Sequence, residues 1–257
     1  MKELNMIDID GLVDRLDLAQ RTVSDTPSLA DSHEVDIDDA YRIQNALIGR
    51  RMGRGESVVG VKLGFTSKAK MAQMGVSDVI VGQLTDAMRI EDGGDVDLAR
   101  FIHPKIEPEI AYRLARDVDP GDPAVDIVSC VDAVAPAMEI IDSRYRDFRF
   151  TYTDVVADNT SAAGYVVGQW QRMQDVDNRA VRLEVGSQQA VGSTSAILGN
   201  PVRALHALVD MARRRAIPLR AGQVVLAGAA TAAVTLTAEV AQCHIAGLGR
   251  VSVKGVK

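Results

Sequence analysis

The sequence is poor in cysteine, aromatics and positive charge, and each shortage removes a class of function. Two of its 257 residues are cysteines, Cys130 and Cys243, which gives neither a disulfide framework nor a zinc-binding spacing. A reducing cytoplasm is the simplest home for such a chain. Aromatic residues make up 4%, too few for a platform on which bases stack. Lys and Arg number 29 against 35 Asp and Glu, a formal charge of −6, so no basic footprint awaits nucleic-acid phosphates. The compact basic runs are Arg50-Arg51 and Arg213-Arg214-Arg215. The second falls late in an expected helix, where cations suit the dipole. No apolar run approaches the roughly 18 residues of a membrane span, and the N-terminus alternates charged with apolar residues, unlike a signal peptide. Neither a G-x-G-x-x-G nor a P-loop occurs, so nucleotide cofactors are not indicated.

What remains is a chain long enough to bury a sizeable core, with an ordinary 47% of hydrophobic residues. Residues 1–55 read as a helical N-terminal region. Asp10 is placed to cap a helix carrying Leu12, Leu16, Ala19 and Val23. Asp36 and Asp39 have capping-box spacing ahead of Ala40, Ile43 and Leu47. From Val58 the period changes, and residues 56–257 read as a strand-rich catalytic body. Strands are expected over Ser57–Phe65, Val79–Leu84, Ile106–Leu114 and Val134–Ile141, with a short helix over Lys68–Met74. Asn200-Pro201 signals a further helix running to about Ala216. Val224–Ala227, Val234–Val240 and Arg250–Val253 then read as antiparallel strands.

The chemistry concentrates in His103-Pro-Lys-Ile-Glu-Pro-Glu109. On a strand, Glu107 and Glu109 point to one face because side chains alternate. Two adjacent carboxylates repel unless a positive group lies between them. A third acid, Glu139, interrupts the apolar run Ala135–Ile141, where a carboxylate is costly to bury unless paired or metal-bound. Three convergent carboxylate oxygens suit Mg²⁺ or Mn²⁺, although an E-x-E pair also occurs as a merely solvated strand face, and Arg144 is a candidate partner for Glu139. The four histidines show no metal-ligand spacing. His33 and His103 are candidates for touching a site, but a loop role suits each better, and Trp170, Met71 and Met74 read as packing residues.

Five motifs occur in order: Lys62-Leu-Gly-Phe-Thr-Ser-Lys68, Gly82-Gln-Leu-Thr-Asp86, His103 to Glu109, Glu139-Ile-Ile-Asp-Ser-Arg144 and Val156-Ala-Asp-Asn-Thr-Ser161. Together they resemble the 2-oxopent-4-enoate hydratase and 4-oxalocrotonate decarboxylase family of the fumarylacetoacetate-hydrolase-like superfamily. The resemblance implies an α+β fold, a mixed β-roll with a small helical N-terminal region. It implies metal ligands at Glu107, Glu109 and Glu139 for Mg²⁺ or Mn²⁺, and an active-site lysine at Lys62. Arg144 and Ser161 join Lys62 as candidate catalytic residues, with Thr231, Ile80 and Leu84 on the substrate's side.

Within that family, hydratases tend to carry Pro-Asp-Phe-Gly where this chain reads Val79-Ile80-Val81-Gly82, so Ile80 replaces an acid able to steer water. Tyr145 and the Phe148-x-Phe150 pattern look like the decarboxylase branch. The expected activity is therefore metal-dependent decarboxylation of 2-oxohex-3-enedioate, a small 2-oxo dicarboxylic acid, in meta-cleavage catabolism of aromatic compounds. The alternatives are hydration of 2-hydroxypenta-2,4-dienoate and a non-catalytic scaffold for a hydratase. A homo-oligomer or a complex with a cognate hydratase is expected; a nucleic-acid or membrane partner is not.

Overall fold

The computed structural model describes residues 7–257 except 68–70 and 73–74, so much of the expected Lys68–Met74 helix lies outside the described residues. Two helices open the fold. Asp8, not Asp10, caps α1 (Ile9–Arg21) by accepting from the Gly11 N–H. Asp10 falls in the first turn, where its charge suits the positive helix end. Asp36 caps α2 (Ile37–Gly53) by accepting from Asp39, as the spacing predicts.

The strands form two sheets. The larger contains β1 (Val58–Gly64), β2 (Ile80–Thr85), β3 (Arg89–Ile90), β5 (Lys105–Leu114), β6 (Val131–Ile141), β7 (Ala162–Val167) and β11 (Val224–Ala229). Their spatial order is β2-β1-β11-β5-β6-β7-β3, with β8 (Gln171–Arg172) beside β6 and β12 (Val234–Thr235) beside β5. The smaller sheet runs β10-β9-β13-β14-β4. Its members are β4 (Asp95–Asp97), β9 (Ala180–Val185), β10 (Gln188–Ser193), β13 (Val240–Ile245) and β14 (Gly249–Val256). Residues in β9, β13 and β14 alternate between buried and accessible, the pattern of strands with one wet face. β5 and β6 are buried on both faces over most of their length, and they carry the three glutamates.

Two expectations about the C-terminal strands need correction. Val224–Ala227 does not join an antiparallel C-terminal set: β11 lies parallel to β1 and antiparallel to β5 in the larger sheet. Val234–Val240 is not one strand, because β12 stops at Thr235 and β13 starts at Val240.

The large sheet is strongly curled. β1 and β6 are three strand steps apart in the order, roughly 14 Å along a flat sheet. The long Lys62 side chain and the curl of the sheet together bring Nζ of Lys62 to 3.0 Å from Glu139 on β6. One apolar core joins helices and both sheets, including Leu16, Ile43, Leu63, Ile110, Leu183 and Val253. The buried Gln44 amide of α2 donates to the carbonyls of Val81 and Val156, 3.1 and 2.8 Å away.

A capping box formed by Thr151 and Asp154 starts α3 (Tyr152–Ala157). The same Asp154 carboxylate accepts from the Ser28 hydroxyl at 2.6 Å and the Leu29 N–H at 2.9 Å, which ties the N-terminal region to the roll. α4 (Val202–Arg215) starts where Asn200 accepts from the Val202 N–H and ends at left-handed Ala216. Its terminal arginines are committed to the protein: Arg213 to Asp210, Arg214 to Asp78 and Arg215 to Asp38. No described helix is long and apolar enough to cross a membrane.

Asp154→Ala leaves the buried Leu29 N–H and the half-buried Ser28 hydroxyl without their acceptor. The variant is expected to lose roughly 2 kcal/mol or more of stability, read from the midpoint of urea unfolding.

Candidate functional site

Strand register brings the acids together. Glu107 on β5 stands directly opposite Glu139 on β6, and Glu109 follows one pleat along the same face. Ligand-type oxygens of the three lie within 4.8 Å of one another, and all three residues are buried. The neighbouring strands complete the cluster. The Gly228 N–H of β11 donates to Glu109. Lys62 of β1 meets Oε2 of Glu139 at 3.0 Å and donates to the Thr160 carbonyl at 3.1 Å.

The electrostatics follow from burial. Glu109 is held well above the usual carboxylate range, first by burial and then by the charges of Glu139 and Glu107. Burial alone would depress the Lys62 ammonium. The charges of Glu139, Glu107 and Glu109 outweigh it and leave Lys62 above the ordinary lysine range. Oε1 of Glu109 is buried with no hydrogen-bond partner among the described residues. An orphaned carboxylate oxygen beside two further carboxylates fits a hard divalent cation, which takes oxygen ligands and relieves their repulsion.

A cavity of about 1190 Å³ opens over this cluster, reached by Lys62 and Glu107 and walled by Ile80, Ser161 and Thr231. Part of the wall is an unusual turn. Asn159, Thr160 and Ser161 have φ of 48°, 52° and 60°, the left-handed region that costs L-residues about 1–2 kcal/mol each. The turn is clamped from several sides. The Asn159 amide accepts from the Gln83 N–H and donates to its carbonyl, at 2.8 and 2.9 Å. The Ser161 carbonyl accepts from the Asp142 N–H at 2.9 Å. Gly82 makes room for the turn: a Cβ there would stand 2.2 Å from the Thr160 hydroxyl.

Two sequence-based assignments change. Arg144 does not reach the cavity, and it orients Asp158 instead of Glu139. Its guanidinium is buried and ion-paired with Asp158, and it also donates to the carbonyls of Asp142 and Asp158. Burial pushes Asp158 up to about 6 while Arg144 pulls against it. Leu84 does not line the cavity either. It is fully buried in a small apolar cluster with Met88, Ala111 and Leu226, beyond Gly82 on its strand. His33 is exposed, with its ring beside the Ser32 hydroxyl, and also stays outside the cavity lining.

Sequence reading gave no role to Lys105 or Thr160 and took Phe148 only as part of a branch pattern, yet all three line the cavity. Lys105 carried a usable signal, since it precedes Glu107 by two residues on one strand face. Thr160 did not, because its place depends on a turn closed by distant contacts.

The curled mixed sheet is a fold that a fumarylpyruvate hydrolase from Pseudomonas aeruginosa shares, with a TM-score of 0.59 at 16% identity, covering 76% of this chain and 88% of that one. No family model matches this chain, but individual relatives do. A 4-oxalocrotonate decarboxylase of a Pseudomonas species is 46% identical over 247 residues, covering 95% of this chain and 96% of the relative. A 2-keto-4-pentenoate hydratase of Paraburkholderia xenovorans is 36% identical, covering 85% and 83%. The structure of 4-oxalocrotonate decarboxylase from Pseudomonas putida G7, complexed with magnesium and adipate, matches with a TM-score of 0.91 at 34% identity, covering 96% and 97%. The chain belongs to this family of 4-oxalocrotonate decarboxylases and 2-keto-4-pentenoate hydratases.

Removing one member of a buried ion pair strands the other. Arg144→Met is expected to cost about 3–5 kcal/mol, and adding Asp158→Asn should recover part of it, both read by chemical denaturation.

Proposed function

We propose that the protein is a magnesium-dependent lyase that removes CO₂ from 2-oxohex-3-enedioate and releases 2-hydroxypenta-2,4-dienoate, a step in meta-cleavage breakdown of aromatic compounds. The observation that carries this reading is the convergence of Glu107, Glu109, Glu139 and Lys62 beneath one cavity. The 46% identity to a 4-oxalocrotonate decarboxylase supports it.

In this reading the three glutamates hold Mg²⁺, with Mn²⁺ as the alternative. The bound ion supplies a Lewis acid at the 2-oxo acid end of the substrate. As the C5–C6 bond breaks and CO₂ leaves, its electron pair moves through C4 and C3 onto the C2 oxygen, which then takes up a proton from solvent to give the 2-hydroxy product. Lys62 is the cation placed to meet that charge. Its ammonium has three N–H donors; one meets Thr160, one meets Glu139, and the third remains for the developing enolate. The Ser161 hydroxyl, buried at the cavity wall with no partner among the described residues, orients a substrate oxygen. Thr231 also lines the cavity, and Ile80 offers an apolar wall.

Hydration is the second reading, favoured by the 36% identity to a hydratase. It needs a group that delivers water, and Ile80 provides none. The intact acids and lysine speak for catalysis over a scaffold role. Assembly with further copies or a cognate hydratase belongs to the same proposal, supported by the half-buried apolar strip Val59, Val167, Trp170 and Val224. A cytoplasmic setting is supported by two free, buried cysteines.

Metal-stripped protein should release no CO₂ from 2-oxohex-3-enedioate until Mg²⁺ is added; release without metal would sink the reading. Magnesium at a hundred times its Kd should also stabilise the fold by about 2.7 kcal/mol. Glu107→Gln is expected to lose metal affinity and activity together, checked by titration calorimetry and a CO₂ assay. Ile80→Asp places an anion in the cavity of a dianionic substrate and should lower CO₂ release at least tenfold, measured as kcat/KM.

A further inference from the structure

We propose that Lys105 is the recognition site for a second carboxylate, and that it makes the cavity selective for dicarboxylic over monocarboxylic 2-oxo acids. The inference rests on the reading above, in which the glutamate cluster receives the 2-oxo acid end of the substrate. Lys105 opens β5, and the two-residue period puts it on the same face as Glu107 and Glu109. It lines the same cavity. Two residues of strand separate it from Glu107 by about 6.7 Å, a span comparable to an extended six-carbon diacid.

The state of its ammonium is the decisive observation. Nζ lies 4.2 Å from the centroid of the Phe148 ring, and Lys105 has no carboxylate partner among the described residues. Other cations of the cavity differ: Lys62 is bound to Glu139, and Arg146 is paired with Asp25. Arg149, which lines the cavity without a carboxylate partner among the described residues, is exposed and lies off the strand that carries Glu107 and Glu109. A half-buried ammonium held on a ring face is a weakly satisfied cation, since the ring attracts charge without accepting a strong hydrogen bond. An anion arriving in the cavity gains a charge-assisted contact there.

Along β5 itself the cavity runs from acids at the floor to a cation nearer the start of the strand, while the exposed Asp31 and Asp147 line it from other segments. A ligand with a metal-chelating head and an anionic tail matches that polarity; a monocarboxylic 2-oxo acid leaves the lysine unused. The Phe148 ring is fixed in turn by the His103 ring, whose centroid lies 4.6 Å away. The distal carboxylate loses its charge as it becomes CO₂, so contact with Lys105 is made in the ground state and weakens toward the transition state. Lys105 thus acts on KM more than on kcat.

The test compares 2-oxoadipate with 2-oxohexanoate, two 2-oxo acids of equal chain length that differ in the terminal carboxylate. Both are titrated by calorimetry into the full-length protein saturated with Mg²⁺. The wild type should prefer 2-oxoadipate by roughly tenfold or more. Lys105→Gln should bring the ratio close to one, and Lys105→Arg should restore most of it, with thermal unfolding and Mg²⁺ affinity confirming that each variant is folded and binds metal. Equal binding of the two acids by the wild type, or a preference that survives in folded Lys105→Gln, overturns the role of Lys105 and leaves the metal-site reading standing. Failure of both acids to bind the magnesium-loaded wild type overturns the 2-oxo acid reading, and this inference with it.

Discussion

Three carboxylates confined to a dry space repel one another, and much of the structure answers that repulsion. Glu107, Glu109 and Glu139 lie on strands buried on both faces, where water screens them poorly and only Glu107 reaches the cavity. Their closeness depends on register: a one-residue slip between β5 and β6 would send Glu139 to the opposite face. Curling of the large sheet then brings Lys62 across from β1, and a backbone N–H of β11 satisfies one oxygen of Glu109. Lysine and amide relieve part of the load, and in the proposed function a divalent cation relieves the rest.

Around this cluster lies a layer that positions without touching the cavity. Arg144 fastens Asp158, the residue just before the left-handed turn of Asn159, Thr160 and Ser161. The turn supplies the carbonyl that holds Lys62 and the hydroxyl that faces the cavity. Strain of this kind persists only where neighbours over-determine it, and here Gln83, Asp142 and Gly82 all do. The N-terminal region is part of the same construction, since Asp154 fixes Ser28, which lines the cavity.

The polarity of the cavity links this architecture to the chemistry. Acids and Lys62 lie deep, apolar Ile80 stands on one wall, and Lys105 rests on Phe148 at the start of β5. A reaction that discards a carboxylate and delocalises its electrons onto an oxygen needs a cation at the receiving end and few anions at the departing one. The family holds hydratases as well as decarboxylases on one fold. In the proposed function the choice between the two falls to side chains in the cavity walls, Ile80 among them.

Local rules made part of this legible. The E-x-E pair shares a face because alternation along a strand needs no distant partner. Asp36 and Asn200 announce their helices through contacts spanning three residues or fewer. An acid at position 139, in a run otherwise apolar, signals a buried charge by composition alone. The partners of these residues were not legible. Arg144 read as a ligand for Glu139 or substrate, yet it belongs to Asp158 across a turn that no local pattern specifies. Leu84 shares the family motif but packs into a separate apolar cluster. β11 read as a member of the C-terminal antiparallel set, and it crosses instead to lie parallel to β1. The sequence by itself determined the donor types and the face each occupies, since these depend on backbone period and side-chain chemistry. Only the tertiary structure decided which groups meet, because strand order and sheet curl come from packing summed over the whole core and leave no mark within any one segment.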